Sequence, residues 1–168
     1  TINRSVAEGS RILVTGASGG IGGALVKALC PYSCKIGFHS RSLIDSAIPK
    51  EILRHAEANG TTIKPLNGSF TKSTDSIKIV KEFCSLWEGI DALVQLHGNA
   101  CSKDLEFLSD KDWDETLHTN LTSPFFLSRT AMSAMAQNAN GGRIILTSTA
   151  SAKHGGGIDT LPYGVAKA

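Results

Sequence analysis

The sequence predicts an α/β domain in which a doubly wound parallel sheet lies between two layers of helices. Short apolar and β-branched runs alternate with amphipathic stretches along the chain, and glycine or proline separates many of them. Strands that alternate with helices are joined by right-handed crossovers, which cover both faces of a parallel sheet. The 168 residues, 41% of them hydrophobic, suffice for one core, so we assign residues 1–168 to a single domain.

The first half of the chain contains three strand–helix pairs. Pro31 ends the first helix because proline cannot continue it, and Pro49 suits the start of the second. Gly60 is a good stop for that second helix, and Pro65 suits the end of the third strand better than its middle. In chain order, the predicted elements are strand 11–15, helix 20–29, strand 35–39, helix 49–60, strand 61–66 and helix 73–87.

The second half adds two strands and two helices. Pro124 lies inside the longer of these helices and is expected to bend it. The expected strand order is 3-2-1-4-5, which opens a ligand crevice at the carboxyl ends of strands one and four. In chain order, these elements are strand 92–96, helix 110–137, strand 143–148 and a helix that begins near Pro162.

Composition excludes several classes of protein. The formal net charge of +2 is too small to indicate nucleic acid as the main partner. We expect nothing to span a membrane, because no apolar run is long enough. The four cysteines form no Cys-x-x-Cys pair, so we expect no metal site and no disulfide framework. Reduced thiols are typical of a cytoplasmic protein, which is the location we expect.

A glycine-rich turn follows the first strand and precedes the first helix. Gly16 permits the tight turn, Gly20 lets backbone approach a pyrophosphate, and Gly22 lets the helix pack closely on the sheet. A helix start with bare N–H groups binds phosphate well, and we expect Ser18 and Ile21 to contact the same cofactor. Because the chain holds 17 glycines, an ordinary glycine-rich turn is the alternative.

The end of the second strand carries Ser40 and Arg41 but no acidic residue. At this point an acid selects the free ribose 2′-hydroxyl of NAD(H), whereas an arginine accepts a 2′-phosphate. We therefore expect NADP(H) rather than NAD(H) as the cofactor, with Ser40 and Arg41 among its contacts. A solvated surface arginine is the alternative interpretation of Arg41.

The last predicted helix offers a candidate acid–base pair. Pro162 at its first position puts Tyr163 and Lys167 one turn apart on the same face. A nearby ammonium favours the phenolate, so such a tyrosine can exchange a proton near neutrality. The same spacing also arises by chance, and the pair is weak evidence when taken alone.

Two further polar residues lie where the crevice is expected. Ser148 ends the fifth strand, where its hydroxyl either holds a substrate oxygen or closes a turn. Asn120 lies inside the long helix, although asparagine is a poor helix former. It is therefore either a surface residue or one that binds a water beside the site.

Taken together, these motifs resemble those of the short-chain dehydrogenase/reductase family over nearly the whole chain. Residues 15–22 match its Thr-Gly-x-x-x-Gly-x-Gly cofactor motif, and residues 163–167 match its Tyr-x-x-x-Lys motif. Residues 119–121 match the asparagine of its long helix, and residues 145–148 match the strand that carries its catalytic serine. The resemblance implies a Rossmann-like fold and hydride transfer between a nicotinamide cofactor and a small carbonyl or alcohol substrate.

The resemblance also implies a role for each of four residues. Tyr163 is the general acid/base, and Ser148 positions the substrate oxygen. Lys167 favours the phenolate and holds the nicotinamide ribose, so Lys167 and Tyr163 are cofactor contacts as well. Asn120 orders a water in a proton relay. Relatives often pair through the long helix and the last helix, which makes a homo-oligomer through 110–137 and the helix starting at 162 a further expectation.

The chain departs from the family pattern after two strands. After strand four, the usual Asn-Asn-Ala-Gly is replaced by Gln-Leu-His-Gly at 95–98. After strand three, the usual aspartate is replaced by Ser69, which is followed by Phe70. We nevertheless expect Ser69, Phe70, His97 and Gly98 to line the cofactor site.

These departures leave a second function open, namely a cofactor-binding or regulatory protein of the same fold with little catalysis. The stretch from 148 to 163 is also longer than is common in the family, so Ser151 competes with Ser148 for the serine role. The chain stops at Ala168 within a helix that has barely begun. We therefore expect the domain to be truncated there and this piece to turn over nothing by itself.

Overall fold

The computed structural model describes residues 8–41 and 48–168, and the remaining residues of the predicted domain lie outside this description. Its five-stranded sheet is parallel throughout and has the strand order 3-2-1-4-5. This order confirms the predicted fold class. The strands are β1 (Arg11–Thr15), β2 (Lys35–Ser40), β3 (Thr62–Asn67), β4 (Ala92–Gln95) and β5 (Arg143–Leu146).

Seven α-helices connect or follow these strands in the described residues. Two short 3₁₀ turns, Cys30–Tyr32 and Leu105–Phe107, complete the connections. None of the described helices is both long and apolar enough to cross a membrane. The helices are α1 (Gly20–Leu29), α2 (Lys50–Ala58), α3 (Ser73–Trp87), α4 (Asp110–Leu117), α5 (Ser123–Met135), α6 (Ser151–His154) and α7 (Leu161–Lys167).

The central strands β1, β2 and β4 are buried, and their alternating side chains enter cores on both faces of the sheet, whereas most of β5 is exposed. In β1, Ile12 and Val14 point into a core cluster that includes Val26 of α1. Leu13, between them, points into the opposite cluster with Phe83 of α3. The two clusters cover the sheet from either side and give the predicted three layers.

Pro65 lies inside β3, opposite Phe38 of β2, and not at the end of the strand as expected. The position is tolerated because β3 is an edge strand of the sheet. A proline at an edge can direct its missing N–H away from the neighbouring strand, so no ladder hydrogen bond is lost.

The long helix predicted over 110–137 is divided by a widened segment rather than simply bent at Pro124. A π-helical turn, His118–Thr122, follows α4 and leads directly into α5. Proline has no N–H to donate, so the turn before it cannot complete the α-helical pattern. We refer to His118–Thr122 as the π turn, and it carries Asn120.

The region between β5 and α7 also differs from the prediction. The strand ends at Leu146, two residues before Ser148, and α6 follows it. Gly155, with φ at +75°, ends that short helix in the left-handed conformation. A glycine that ends a helix looks the same in sequence as a glycine in a loop, which is why α6 escaped prediction.

Candidate cofactor and active site

The turn between β1 and α1 requires glycine at its first position. Gly16 has φ at +72°, in the left-handed region that side chains disfavour. A Cβ on Gly16 would also lie 2.7 Å from the backbone nitrogen of His97. The turn therefore brings the end of β1 into direct contact with the chain that leaves β4.

The start of α1 is free of side-chain caps. Its N-cap residue, Gly19, makes no side-chain hydrogen bond, and no atom lies within 4 Å of the place where a Cβ on Gly20 would stand. By contrast, a Cβ on Gly22 would collide with the carbonyl oxygen of Gly16. The helix thus packs tightly on the turn while its first amides stay accessible to an anion.

A cavity of about 690 Å³ opens at the carboxyl ends of the strands, beside this helix start. Its volume falls in the range of about 300–1,000 Å³ that is typical of small-molecule and cofactor sites. Seven of the predicted cofactor residues line it, namely Gly16, Ser18, Arg41, Ser69, Phe70, His97 and Gly98.

The other predicted cofactor residues are not among those that line this cavity. Ile21 is 75% exposed at the start of α1, next to Gly20 and Gly22. The Ser40 side chain is buried, and its hydroxyl donates to Oδ1 of Asn67 at 3.2 Å, so it faces the neighbouring strand and not the cavity. On this side of the crevice, the exposed Arg41 is the predicted residue that reaches the cavity wall.

Three rings form the floor of the cavity. His39 stacks on Phe70 with ring centroids 4.6 Å apart, and Phe70 meets His97 at 4.5 Å with a tilted geometry. His39 Nε2 donates to the carbonyl oxygen of Gly68 at 3.0 Å, and its Nδ1 accepts from the Gly16 amide at 3.4 Å. This tautomer is neutral, and burial lowers the pKa of His39 to about 4.

Asn120 is buried, and backbone groups hold its side chain on two sides. Its Nδ2 donates to the carbonyl oxygens of Asn99 at 2.7 Å and Thr116 at 2.9 Å, while its Oδ1 accepts from the Asn99 amide at 3.2 Å. A Cβ on Gly98 would stand 2.9 Å from that Oδ1. Glycine at this position therefore lets Asn120 reach the chain that leaves β4.

Lys167 approaches the same point from α7. Its Nζ lies 3.9 Å from where a Cβ on Gly98 would stand, and it donates to the Thr147 carbonyl oxygen at 3.4 Å. Burial lowers the pKa of Lys167. The structure thus brings Asn120 and Lys167 together around Gly98.

Ser148 and Tyr163 are both connected to Lys167, Ser148 by a hydrogen bond and Tyr163 as a residue of the same helix, α7. The Ser148 hydroxyl donates to the backbone carbonyl oxygen of Lys167 at 2.9 Å. Tyr163 is half-buried and lies one helical turn before Lys167. Ser151, the competing serine, begins α6 instead.

Comparison with known sequences decides the family. A sequence model of the family described as short chain dehydrogenase matches residues 10–168. The chain belongs to the short-chain dehydrogenase/reductase family. The match covers β1 through α7, and so includes the glycine turn, the π turn and both residues of the Tyr-x-x-x-Lys motif.

Individual members of the family are similar to most of the chain. Nodulation protein G of Rhizobium meliloti (strain 1021) is 33% identical over 147 residues, which are 86% of this chain and 56% of that protein. The 3-oxoacyl-(acyl-carrier-protein) reductase FabG of Escherichia coli (strain K12) is 32% identical over 163 residues, 96% of this chain and 63% of the enzyme. The chain therefore spans little more than half the length of these curated relatives.

A solved structure has the same fold. The NADH-dependent reductase A1-R′ complexed with NAD aligns with a TM-score of 0.86 and 27% identity, covering 95% of this chain and 67% of that chain. The short-chain dehydrogenase/reductase architecture is thus present from the first strand to the last helix of the described residues.

Sequence reasoning missed part of the cavity wall in this family member. Glu115, His118 and Thr119 line the cavity from α4 and the π turn. Their spacing of three and four residues places them on one helical face just before Asn120. That periodicity was the available signal, and the position of His39 next to Ser40 and Arg41 was another.

Proposed function

We propose that the protein is an NADP(H)-dependent oxidoreductase that interconverts a carbonyl and an alcohol by hydride transfer. The observation that carries this proposal is the meeting of Asn120 and Lys167 around Gly98, at the sheet edge that also holds the uncapped start of α1. Membership of the family and the similarity to FabG, a reductase by name, support it.

The residues of the crevice fit a dinucleotide. The accessible amides at the start of α1 suit its pyrophosphate, and the open space around Gly20 leaves room for close approach. Ser69, Phe70 and Arg41 would hold the adenosine side, and Lys167 with Tyr163 the nicotinamide ribose. When bound, the nicotinamide supplies or accepts the hydride.

Side chains of the protein transfer the proton. In the reducing direction, the Tyr163 hydroxyl donates a proton to the substrate oxygen, and the ammonium of Lys167 stabilises the resulting phenolate. The Ser148 hydroxyl turns from the Lys167 carbonyl to the substrate oxygen and, with Tyr163, stabilises its developing negative charge. Asn120 orders a water that returns the proton.

Turnover tests this reaction directly. We expect the complete protein to oxidise NADPH steadily with at least one member of a panel of aldehydes and ketones. Tyr163→Phe removes the proton donor but no charge, so it should abolish turnover and leave the dissociation constant of NADPH nearly unchanged. Retained turnover in this variant would contradict the assignment.

The choice of NADP(H) over NAD(H) is supported by the exposed Arg41 at the cavity wall and by the sequence at the end of β2, where none of residues 39–42 is acidic. A guanidinium–phosphate contact contributes about 1.5–3 kcal/mol, or about a ten- to hundredfold preference. Arg41→Asp should therefore shift the ratio of NADP to NAD affinity by about that factor. Arg54→Asp, on the exposed face of α2, is the matched control. An unchanged ratio in Arg41→Asp would reject the role.

One observation favours a second candidate, a cofactor-binding or regulatory protein with little catalysis. The last residue of β4 and the two that follow it, Gln95-Leu96-His97, depart from the family pattern next to the segment that Asn120 contacts. Under this alternative, NADPH binds tightly but no carbonyl compound of the panel is reduced. Steady turnover of one such compound would exclude it.

We also propose that two copies pair through α4, the π turn, α5 and α7. Large apolar side chains are exposed on the π turn, α5 and α7, with Leu121 at 53%, Phe125 at 58%, Met132 at 61% and Val165 at 47%. Phe125→Glu should convert a dimer to a monomer in sedimentation velocity, and a monomeric wild type would refute the pairing.

The four free cysteines support a cytoplasmic location, which fractionation of cells would test.

A further inference from the structure

His97 stands between β1, β4 and the π turn, and both of its ring nitrogens are hydrogen bonded. Nδ1 lies 2.7 Å from the Thr15 hydroxyl, and Nε2 lies 3.0 Å from the Ser123 hydroxyl. The Ser123 hydroxyl in turn donates to the Thr119 carbonyl oxygen at 2.8 Å. All of these side chains are buried, and His97 itself is 9% exposed.

The direction of each hydrogen bond follows from the last acceptor in the series, the Thr119 carbonyl oxygen. A carbonyl oxygen can only accept, so the single proton of the Ser123 hydroxyl goes to Thr119. The Ser123 oxygen must then accept from His97 Nε2–H. Burial lowers the pKa of His97 to about 3, so Nδ1 carries no proton and accepts from the Thr15 hydroxyl at 2.7 Å, which is closer than that hydroxyl's other acceptor, the Val94 carbonyl oxygen, at 3.5 Å. The imidazole is therefore neutral, with its proton on Nε2.

The last acceptor in this series of hydrogen bonds, the Thr119 carbonyl oxygen, lacks its normal backbone donor. In a π-helical pattern, the carbonyl of Thr119 pairs with the amide five residues later, which belongs to Pro124. Proline has no amide proton, so this bond cannot form. The Ser123 hydroxyl takes its place, and His97 fixes that hydroxyl. The Thr119 carbonyl inside the π turn is thus held by two side chains that lie outside the turn, those of Ser123 and His97.

The residue after Thr119 is Asn120, and its amide is bonded to the backbone just beyond His97. It exchanges two hydrogen bonds with Asn99, at 2.7 and 3.2 Å. Residues 97–99 and 119–123 are consequently joined twice, once through the imidazole and once through the Asn120 amide. Moving either segment would displace the Asn120 amide.

We propose that His97 is a positioning residue for Asn120, which it holds in place by joining the end of β1 to the π turn through Ser123. The inference rests on the proposed function, in which Asn120 orders a water of the proton relay. Alanine, the residue usual in the family at this position, has no group that can make these bonds. His97 acts on the reaction through Asn120, although its ring also lines the cavity.

A double-mutant cycle on turnover of the complete protein tests the proposal. His97→Ala should lower kcat by about 10- to 100-fold, since misplacing a group by about 1 Å can cost about 100-fold. KM for NADPH should change by a smaller factor, which reflects the place of the ring in the cavity floor. In the Asn120→Ala background, His97→Ala should have almost no further effect on kcat, because its route of action is already gone. Full multiplication of the two losses would overturn the proposal.

Two variants control for a merely structural effect. His97→Gln keeps one acceptor and one donor on a planar amide and should recover much of the lost kcat. His55→Ala removes an exposed histidine of α2 and should leave kcat unchanged. If His97→Gln is as impaired as His97→Ala while both retain the wild-type melting temperature, the hydrogen bonds of the ring are not what matters.

A readout without turnover separates this proposal from the proposed function. Nitrogen-15 NMR of the wild type should find the His97 ring neutral with its proton on Nε2 at pH 7, and the Asn120 side-chain amide protons protected from exchange. That protection should disappear in His97→Gly and persist in His55→Ala. If Asn120→Ala keeps full turnover, the proposed relay fails, and the exchange measurement still decides the role of His97. A His97 proton on Nδ1, or protection of the Asn120 amide that survives removal of His97, would overturn the positioning role of His97.

Discussion

Two buried histidines should make the protein lose stability as the pH falls from 7 to 5. Burial lowers the pKa of His39 to about 4 and that of His97 to about 3. Both rings are hydrogen bonded in their neutral form. A second proton on His39 would face the Gly16 amide, which is a donor, whereas a second proton on His97 would require the Thr15 hydroxyl to turn its own proton away. In the unfolded chain a histidine has its ordinary pKa of about 6.5.

The sign and size follow from proton linkage. Below pH 6.5 the unfolded state binds protons that the folded state does not accept until the pH approaches 4 or 3, so the free energy of unfolding falls with the pH. Between pH 7 and 5, each histidine contributes a loss of about 2 kcal/mol, and the pair a loss of about 4 kcal/mol. Domains are stable by only about 5–15 kcal/mol, so the effect is large.

Urea denaturation at pH 7, 6 and 5 measures this loss for the wild type and three variants. His39→Gln and His97→Gln should each reduce the difference in unfolding free energy between pH 7 and 5 by about 2 kcal/mol, whatever they do to stability at pH 7. His55→Gln, at an exposed position of α2, should leave the difference unchanged. The same pH dependence in all four proteins would refute the reasoning.

Two further predictions concern the turn and the base of the sheet. Gly22→Ala places a Cβ against the Gly16 carbonyl and should destabilise the fold by about 1–3 kcal/mol in thermal unfolding, whereas Gly20→Ala enters open space and should weaken only the binding of NADPH. Equal melting temperatures for the two variants would contradict this. Arg11 donates to both carboxylate oxygens of Asp91, at 2.8 and 2.7 Å, and lowers its pKa. That contribution is present above the ordinary pKa of aspartate and is lost as the pH falls below it. Asp91→Asn should therefore cost about 1 kcal/mol at pH 7 and less at pH 3, and an equal cost at both pH values would count against the pair.

Local signals in the sequence predicted the first strand, turn and helix to the residue. The glycines at 16, 20 and 22 and the proline at 31 act within a few residues of their own position, and so do the boundaries 11–15 and 20–29 that they predict. The strand order followed from the alternation of elements, because the handedness of crossovers leaves few arrangements. Family membership was likewise evident from the spacing of the motifs.

The π turn could not be predicted in the same way. It depends on Pro124 lacking an amide, which is local, and on His97 approaching Ser123 from another strand, which is not. The phase of the helix changes within this turn, and with it the set of residues that face the cavity. Glu115 and His118 were missed although their three-residue spacing was visible, because the sequence does not show which face of the helix meets the cavity. At the end of β2, the Ser40 hydroxyl donates to Asn67 while Arg41 lines the cavity, and the role of Ser40 as a cofactor contact stays a prediction.

The most direct measurement is a crystal structure of the complete protein with NADP⁺. We expect the pyrophosphate on the amides at the start of α1, the 2′-phosphate at Arg41, and the nicotinamide between Gly98 and the Tyr163 hydroxyl, with Ser148 beside it. A dinucleotide bound away from this crevice, or a Tyr163 hydroxyl directed away from the nicotinamide, would contradict the account.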